Sequence, residues 1–319
     1  MEQSIKLSIC ITTRNRANYL RQTLESILPQ ATELVEIVIV DGASNDHTED
    51  VVMEYRRDHT CIQYFRMGKN SGVDRDYNSS IERARGEYCW FMSDDDLVKP
   101  GAVQTILDGI PGGYSLMILN ADDWNSDFSE RLNTGRLPFD CDRVYSPSDG
   151  ERLFIDTAHH LSFIPALVIR RDIWLSRERE KYFGSWFAHV GVVFQSPLPG
   201  DVLVVANPTI AIRNSNVSWG GKIFEIWMVK WPNLIWSFND FKDSSKEMIC
   251  PKYPARNWRT LLAYRAGGAY SRKEYKKFIL PGTPGIRLPI LPALISVTPP
   301  IFINLASRMY RKILSRRPG

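Results

Sequence analysis

Three consecutive carboxylates, Asp94, Asp95 and Asp96, follow the apolar run Tyr88–Met92 (YCWFM), with only Ser93 between. Like charges held that close repel and resist ionising together. A divalent cation removes that cost, and hard oxygen ligands suit Mg²⁺ or Mn²⁺, which keep positions open for water and substrate phosphates. A capping or solvated-turn role is the alternative, since Asp is a common N-cap residue. A second acid, Asp41, follows the apolar run Glu36–Val40 (EIVIV) in the same way. Parallel strands in one sheet would present both acids at its carboxyl edge, where open α/β sheets bind ligands. Asp41 would then accept hydrogen bonds from a ribose or base while the later carboxylates hold a metal on a diphosphate. An Asx-turn at Asp41 is the alternative.

The elements needed to place these acids are legible in the first half of the chain, where apolar runs alternate with helical patterns as in βαβ units. Leu7–Ile11, Glu36–Val40, Ile62–Phe65, Tyr88–Met92 and Ser115–Leu119 read as strands of a mostly parallel sheet. Leu20, Leu24, Ile27 and Leu28 recur at helical spacing and predict a helix over 18–28. Asp46 and Glu49 have capping-box spacing for a second helix, Val73, Tyr77, Ile81 and Ala84 mark a third, and Pro100-Gly101 opens a fourth that runs to Asp108. Residues 120–160 are polar and less periodic. Phe163–Ile169 and Val202–Ala206 return to strand character, and the Trp-dense stretch 219–236 reads as helical. The expected organisation is a nucleotide-binding α/β domain over 1–220 and a helical region over 221–319.

Three ordered motifs carry a family resemblance. SICITTRNRANYLRQTLESI resembles the opening I-P-T-Y-N-R segment of family 2 glycosyltransferases, and IVIVDGASNDHT resembles their D-x-S-x-D-x-T loop. GVDRDYNSSIERARGEYCWFMSDDD resembles their N-x-G…A-x-G-x-Y segment running into the D-x-D region. Within the family, RDYN…GEYCWFMSDD is most similar to O-antigen abequosyltransferases and other dideoxyhexose transferases. The resemblance implies a GT-A fold, a nucleotide-diphosphate sugar donor, a divalent metal (Mn²⁺ or Mg²⁺) and a glycan or polyprenyl-linked oligosaccharide acceptor. Carried over by position, Thr12, Thr13 and Arg14 would line the nucleotide pocket and Asp41 would bind the nucleoside. Asp94 would meet the donor sugar, and Asp95 would hold the metal with Asp96 as helper.

The pattern is broken in two places. Ser93 stands where the family's D-x-D-D string carries an acid, and the late E-D pair that supplies a base in inverting relatives is replaced by GSWFAHVGVVF, which offers His189. Histidine titrates near neutrality and suits a base; a packed imidazole among Trp186, Phe187 and Val190 is the alternative. Asp201 is a fallback, and a retaining enzyme would need no such base. ANPTIAIRNSNVSW resembles a segment that closes the donor site in some relatives, so Arg213 would pair with the diphosphate as a planar fork. Arg75, before the acidic strand, is a weaker donor-site candidate.

Composition narrows the remaining classes. Residues 286–319 hold six basic residues and no acid, leaving 34 basic against 36 acidic elsewhere in a chain of formal charge +4. With a near-neutral body and no aromatic-basic RNA motif, nucleic-acid binding is not expected. An apolar stretch broken by Pro289, Pro292, Pro299 and Pro300 and followed by basic residues reads as an interfacial anchor or a packed segment rather than a spanning helix. Five scattered cysteines and no signal-like N-terminus fit a cytoplasmic enzyme, peripheral on the inner face of the membrane. Two competing readings are a nucleotidyltransferase, which would bring a glycine-rich phosphate loop absent from ITTRNRANYL, and an inactive carbohydrate-binding or scaffold protein on the same fold.

Overall fold

The computed structural model describes residues 4–214, 220–282 and 290–304. The chain divides into two compact units, Met1–Asn216 and Val217–Gly319. In the first, ten strands form one sheet: β1 (Leu7–Thr13), β2 (Val35–Asp41), β3 (Ile62–Arg66), β4 (Tyr88–Met92), β5 (Leu97–Val98), β6 (Leu116–Trp124), β7 (Arg131–Asn133), β8 (Arg143–Tyr145), β9 (Leu167–Arg170) and β10 (Val202–Arg213). Their order is β3-β2-β1-β4-β9-β6-β10-β5, with β7 added to β6 and β8 to β10. The four strands on the β3 side are parallel. Past β4 the sheet is mixed, because β9 runs antiparallel between β4 and β6.

Helices α1 (Ala17–Ile27), α2 (Thr48–Arg56), α3 (Val73–Arg83) and α4 (Ala102–Gly109) follow the first strands, and α5 (Gly150–Thr157), α6 (Arg171–Ser176) and α7 (Ala188–Phe194) come later. The apolar stripe of α1 buries Leu20, Leu24 and Ile27 in the same core as Leu7, Ile9 and Ile11 of β1 and Ile37 and Ile39 of β2. Each of these side chains fully withdrawn from water contributes about 1.5–3 kcal/mol. Glu36, wholly buried within β2, keeps its charge satisfied through the Ser8 hydroxyl (2.7 Å) and the Arg85 amide and guanidinium (2.6 and 2.8 Å). Gly86 packs so closely on Ser8 that a Cβ would sit 2.6 Å from its backbone nitrogen. The A-x-G-x-Y segment is therefore a strand-packing device at the amino edge, away from the acids.

Several expectations change in detail. Asp46 makes no capping box with Glu49: its Oδ1 accepts the Thr48 amide and hydroxyl (3.1 and 2.5 Å), and its Oδ2 accepts the Ala17 amide at the start of α1 (3.1 Å). One carboxylate thus ties together the beginnings of two helices. β6 runs through the polar stretch to Trp124, since tertiary partners satisfy its polar side chains. The Asn120 amide donates to Leu137 and Ala206 carbonyls (3.1 and 2.7 Å), and Asp122 accepts from Lys99 and the Gly135 amide (2.8 and 3.0 Å). The strand read at 163–169 is shortened to β9 by a 3₁₀ turn at Ile164–Ala166. β10 runs past Ala206 through a register shift between Val205 and Ile210, which carries Arg213 to the strand end.

The second unit is helical, as expected from its sequence. Ile223–Glu225, a π turn at Ile226–Lys230 and Trp231–Ser237 run on from one another, followed by Asp243–Ile249, Trp258–Ala266 and Ile290–Val297. Its own core gathers Phe224, Leu261, Tyr270, Tyr275 and Ile295. Among the described residues no helix is long and apolar enough to cross a membrane. The basic end of the tail, from Arg308 onward, lies outside the described residues, as do residues 286–289.

Candidate active site

The acids named from the sequence meet at one edge. Thr13, the last residue of β1, pairs in register with Asp41, the last of β2, while Ile11 pairs with Met92 at the end of β4. Asp41 and Asp94 therefore flank the carboxyl end of β1, two strand spacings or about 10 Å apart. That places one acid on each side of the β1 end, at the edge where α/β sheets take ligands.

On the β2 side the loops are preset by hydrogen bonds. Asp41 is fully buried; its Oδ1 accepts the Ser44 amide and hydroxyl (2.8 and 2.6 Å), and its Oδ2 accepts the Tyr64 hydroxyl (2.7 Å). Burial and this neighbouring carboxylate push the Tyr64 hydroxyl far above its ordinary pKa, so it stays a donor. The β1–α1 and β2–α2 loops are stitched by reciprocal bonds: the Asn15 amide donates to the Ser44 hydroxyl (2.9 Å), and the Asn45 amide donates to the Asn15 side chain (2.6 Å). Asn15 and Ala43 hold positive φ angles of 55° and 63°, which bend both loops around the edge. Gly42 leaves room for Asp76, whose Oδ2 would lie 3.0 Å from a Cβ there. Arg14 is exposed, Thr13 is buried and Thr12 is intermediate, all at this end of β1.

On the β4 side the contacts are ionic. Arg16 spans two of the acids, with Nε 3.0 Å from Asp94 Oδ1 and Nη2 paired with Asp95 Oδ2. Asp96 points inward: Oδ2 accepts the Ser93 hydroxyl (2.5 Å) and Oδ1 accepts the Arg213 amide (2.8 Å). Arg213 spends its guanidinium on the Asp95 carbonyl (2.9 Å), Gln22 Oε1 (2.5 Å) and the Ser126 carbonyl, between the rings of Tyr19 and Phe128. Burial pushes Asp94 up to about 7, against the opposing pull of Arg16, and pushes Asp96 up to about 8, helped by the Asp95 charge. Asp95 shifts upward for the same reason, with Arg16 and Arg213 opposing. Such acids want a further positive charge.

The sequence matches glycosyl transferase family 2 over residues 8–172, just over half of the chain. This chain is a family 2 glycosyltransferase. It is 30% identical over 234 residues to the abequosyltransferase RfbV of Salmonella typhimurium, covering 68% of this chain and 69% of that one. It is 32% identical over 111 residues to a GalNAc(5)-diNAcBac-PP-undecaprenol beta-1,3-glucosyltransferase of Campylobacter jejuni, covering 34% and 36% of the two chains. In three dimensions the transferase resembles residues 1–349 of S. aureus TarS in complex with UDP, with a TM-score of 0.61 at 16% identity over 86% of this chain and 78% of that TarS fragment. The sheet with its flanking helices is the GT-A fold expected from the motifs.

The remaining candidates of this transferase fall elsewhere. His189 is 3% exposed, its Nε2 donates to the Leu161 carbonyl (2.7 Å), and burial lowers its pKa to about 4. It is a neutral imidazole beside Phe91, which corrects the expectation of a base at that position. Asp201 precedes β10 at the amino edge of the sheet, opposite the acids, and drops out as a fallback. Arg75 is exposed on α3 and stacks over Phe183. Arg213 does reach the cluster, but it braces the aspartate loop instead of presenting an open fork. Asp96, expected as a helper ligand, has both oxygens committed inside the protein.

Sequence reading missed four participants. Arg16 and Gln22 stand inside the first motif beside the residues to which the resemblance gives roles, and Asp76 lies within the third motif, on the helix marked by Val73, Tyr77, Ile81 and Ala84. Asp74 is the fourth: its carboxylate accepts the amides of Gly184, Trp186 and Ala188 (2.7, 3.0 and 3.3 Å), fixing the loop before α7 that leads to His189. The D-R-D string at 74–76 held the signal, since two acids spaced by two on a helix otherwise facing a sheet call for partners.

Proposed function

We propose that this transferase moves a dideoxyhexose such as abequose from a nucleotide-diphosphate donor to a hydroxyl of a polyprenyl-linked oligosaccharide in O-antigen synthesis. The observation that carries the reading is the shared carboxyl edge of β2, β1 and β4, with Asp41 on one side and the Asp94–Asp96 cluster on the other. The names of the Salmonella and Campylobacter relatives support the sugar and the lipid carrier.

The nucleoside would lie over Thr12, Thr13 and Arg14 beside Asp41, and the donor sugar would meet Asp94. Asp95 fits Mn²⁺ or Mg²⁺, since such cations are held by one or two carboxylates with phosphate and water completing the shell. Among the described residues no group of three or more His, Cys, Asp or Glu is arranged to hold an ion alone, so donor oxygens would have to finish the coordination. The bound cation would neutralise charge developing on the departing diphosphate. The residues themselves position it: Ser93 and Arg213 lock Asp96, which fixes the loop that presents Asp95.

Peripheral contact with the membrane belongs to the same reading. Ile290, Leu294, Val297 and Ile301 recur at helical spacing and are all exposed, ahead of the basic C-terminal sequence. Vesicles containing anionic lipid should sediment the full chain and lose it at high salt or on deletion of 286–319; unchanged partitioning of the truncated protein would refute the contact. The donor is tested by thermal shift with CDP- and UDP-sugars in the presence of Mn²⁺, because a true donor raises Tm by mass action. Release of free nucleotide, suppressed by EDTA, separates the transferase from an inactive binding protein.

A further inference from the structure

Arg16 touches both Asp94 and Asp95, and nothing in the family match assigns it a task. Its guanidinium lies 3.0 Å from Asp94 Oδ1, pairs with Asp95 Oδ2 and covers the Tyr19 ring at 4.7 Å. Its side chain is only 13% exposed, and those of Asp94 and Asp95 are 11% and 19% exposed, so the pairing is poorly screened. Asp96 is held by other groups, Ser93 and the Arg213 amide. Arg16 is therefore the guanidinium paired directly with the carboxylates of both Asp94 and Asp95.

A divalent cation on Asp95 and a guanidinium on the same carboxylate are like charges in contact, which repel strongly in a poorly screened site. One must yield. The Arg16 backbone is fixed at the N-cap of α1, but its side chain has four rotatable bonds and needs only a new anion nearby. A diphosphate bridged to the cation would bring planar oxygen pairs that a guanidinium matches well.

Resting on the transferase reading above, we propose that Arg16 is a resident counter-cation of the aspartate cluster. It holds Asp94 and Asp95 in the unliganded protein, gives up Asp95 to the divalent cation, and pairs instead with the donor's diphosphate. Metal and diphosphate then bind synergistically, since each removes an obstacle to the other, and the coupling is reciprocal. The free cation binds weakly because it must evict Arg16 with no new partner for it.

The test is Mn²⁺ binding followed by electron paramagnetic resonance, without turnover, on the full chain and on Arg16→Gln and Arg16→Lys. Inorganic pyrophosphate serves as the diphosphate probe. Arg16→Gln should bind Mn²⁺ alone at least about fivefold tighter than the wild type, while the gain in Mn²⁺ affinity on adding pyrophosphate shrinks by about the same factor. Arg16→Lys, which keeps the charge without the fork, should fall between, and it carries the test if the glutamine variant does not fold. Equal or weaker Mn²⁺ binding by a folded Arg16→Gln, or an undiminished pyrophosphate effect, overturns the exchange while leaving the metal site standing. A wild type that binds no Mn²⁺ even with pyrophosphate overturns both this role and the metal in the proposed function.

Discussion

The two sides of the β1 carboxyl end are built on different principles. Beside β2, Asp41 is hydrogen-bonded by fixed donors, Ser44 and Tyr64, and the loops that carry it are tied to one another through Asn15, Ser44 and Asn45. Beside β4, three acids are held by two arginines, and burial drives Asp94 and Asp96 to about 7 and 8. The first arrangement is complete without a ligand and suits a recognition surface whose geometry should not change. The second carries unfavourable charge that a cation can relieve, so it suits a site that waits for its cofactor. On the proposed reading, a rigid nucleoside side and an exchangeable diphosphate side would divide the work of binding a two-part donor.

The largest effect expected from this division is on the β4 side. Asp95→Asn should lower kcat by about 10²–10³-fold and abolish the Mn²⁺-dependent part of the donor-induced thermal shift. Undiminished turnover would remove Asp95 as ligand and make the two sides alike. On the β2 side the expected loss is in stability and donor affinity rather than metal dependence. Tyr64→Phe strands one oxygen of a buried carboxylate and should cost about 1–3 kcal/mol in denaturant unfolding, with the Mn²⁺ response intact. A variant that lost its Mn²⁺ response would show that the sides are coupled.

pH offers a third way to part them. Asp94 and Asp96 keep their protons in the folded chain to about 7 and 8 but lose them near 4 when unfolded, so the folded state holds more protons between those limits. Their contribution to stability is complete below about pH 4 and is lost as pH rises through 7–8. Without metal, Tm should therefore fall between pH 5 and 8 by the contribution of these two groups, and Mn²⁺ with nucleotide should reverse the fall; the double variant Asp94→Asn with Asp96→Asn should flatten it. The smallest effect belongs to a residue on neither side. His189→Gln retains a donor for the Leu161 carbonyl and should change kcat by less than about twofold at a stability cost of about 1 kcal/mol. A loss of 100-fold or more would reinstate His189 as the base and send the search for its route to the acids.

What could be read directly was whatever depends on neighbours in sequence. Apolar runs of the right length gave β1 to β4, and helical spacing gave α1 and α3, because burial of one face is a local pattern. The polar second half of β6, beyond the strand read at Ser115–Leu119, was hidden, since Asn120 and Asp122 are satisfied there by Leu137, Ala206, Lys99 and Gly135, partners from 13 to 86 residues away. The sequence alone determined that acids would follow two strands, that a family 2 transferase was at hand, and that Ser93 and His189 broke its pattern. Tertiary structure decided what those residues do: Ser93 pins Asp96, His189 is sealed in the core, and Arg16 and Arg213 arrive from opposite ends of the domain to hold the acids. Charge compensation acts through space, so the identity of a buried carboxylate's partner is fixed by strand order and register rather than by spacing along the chain.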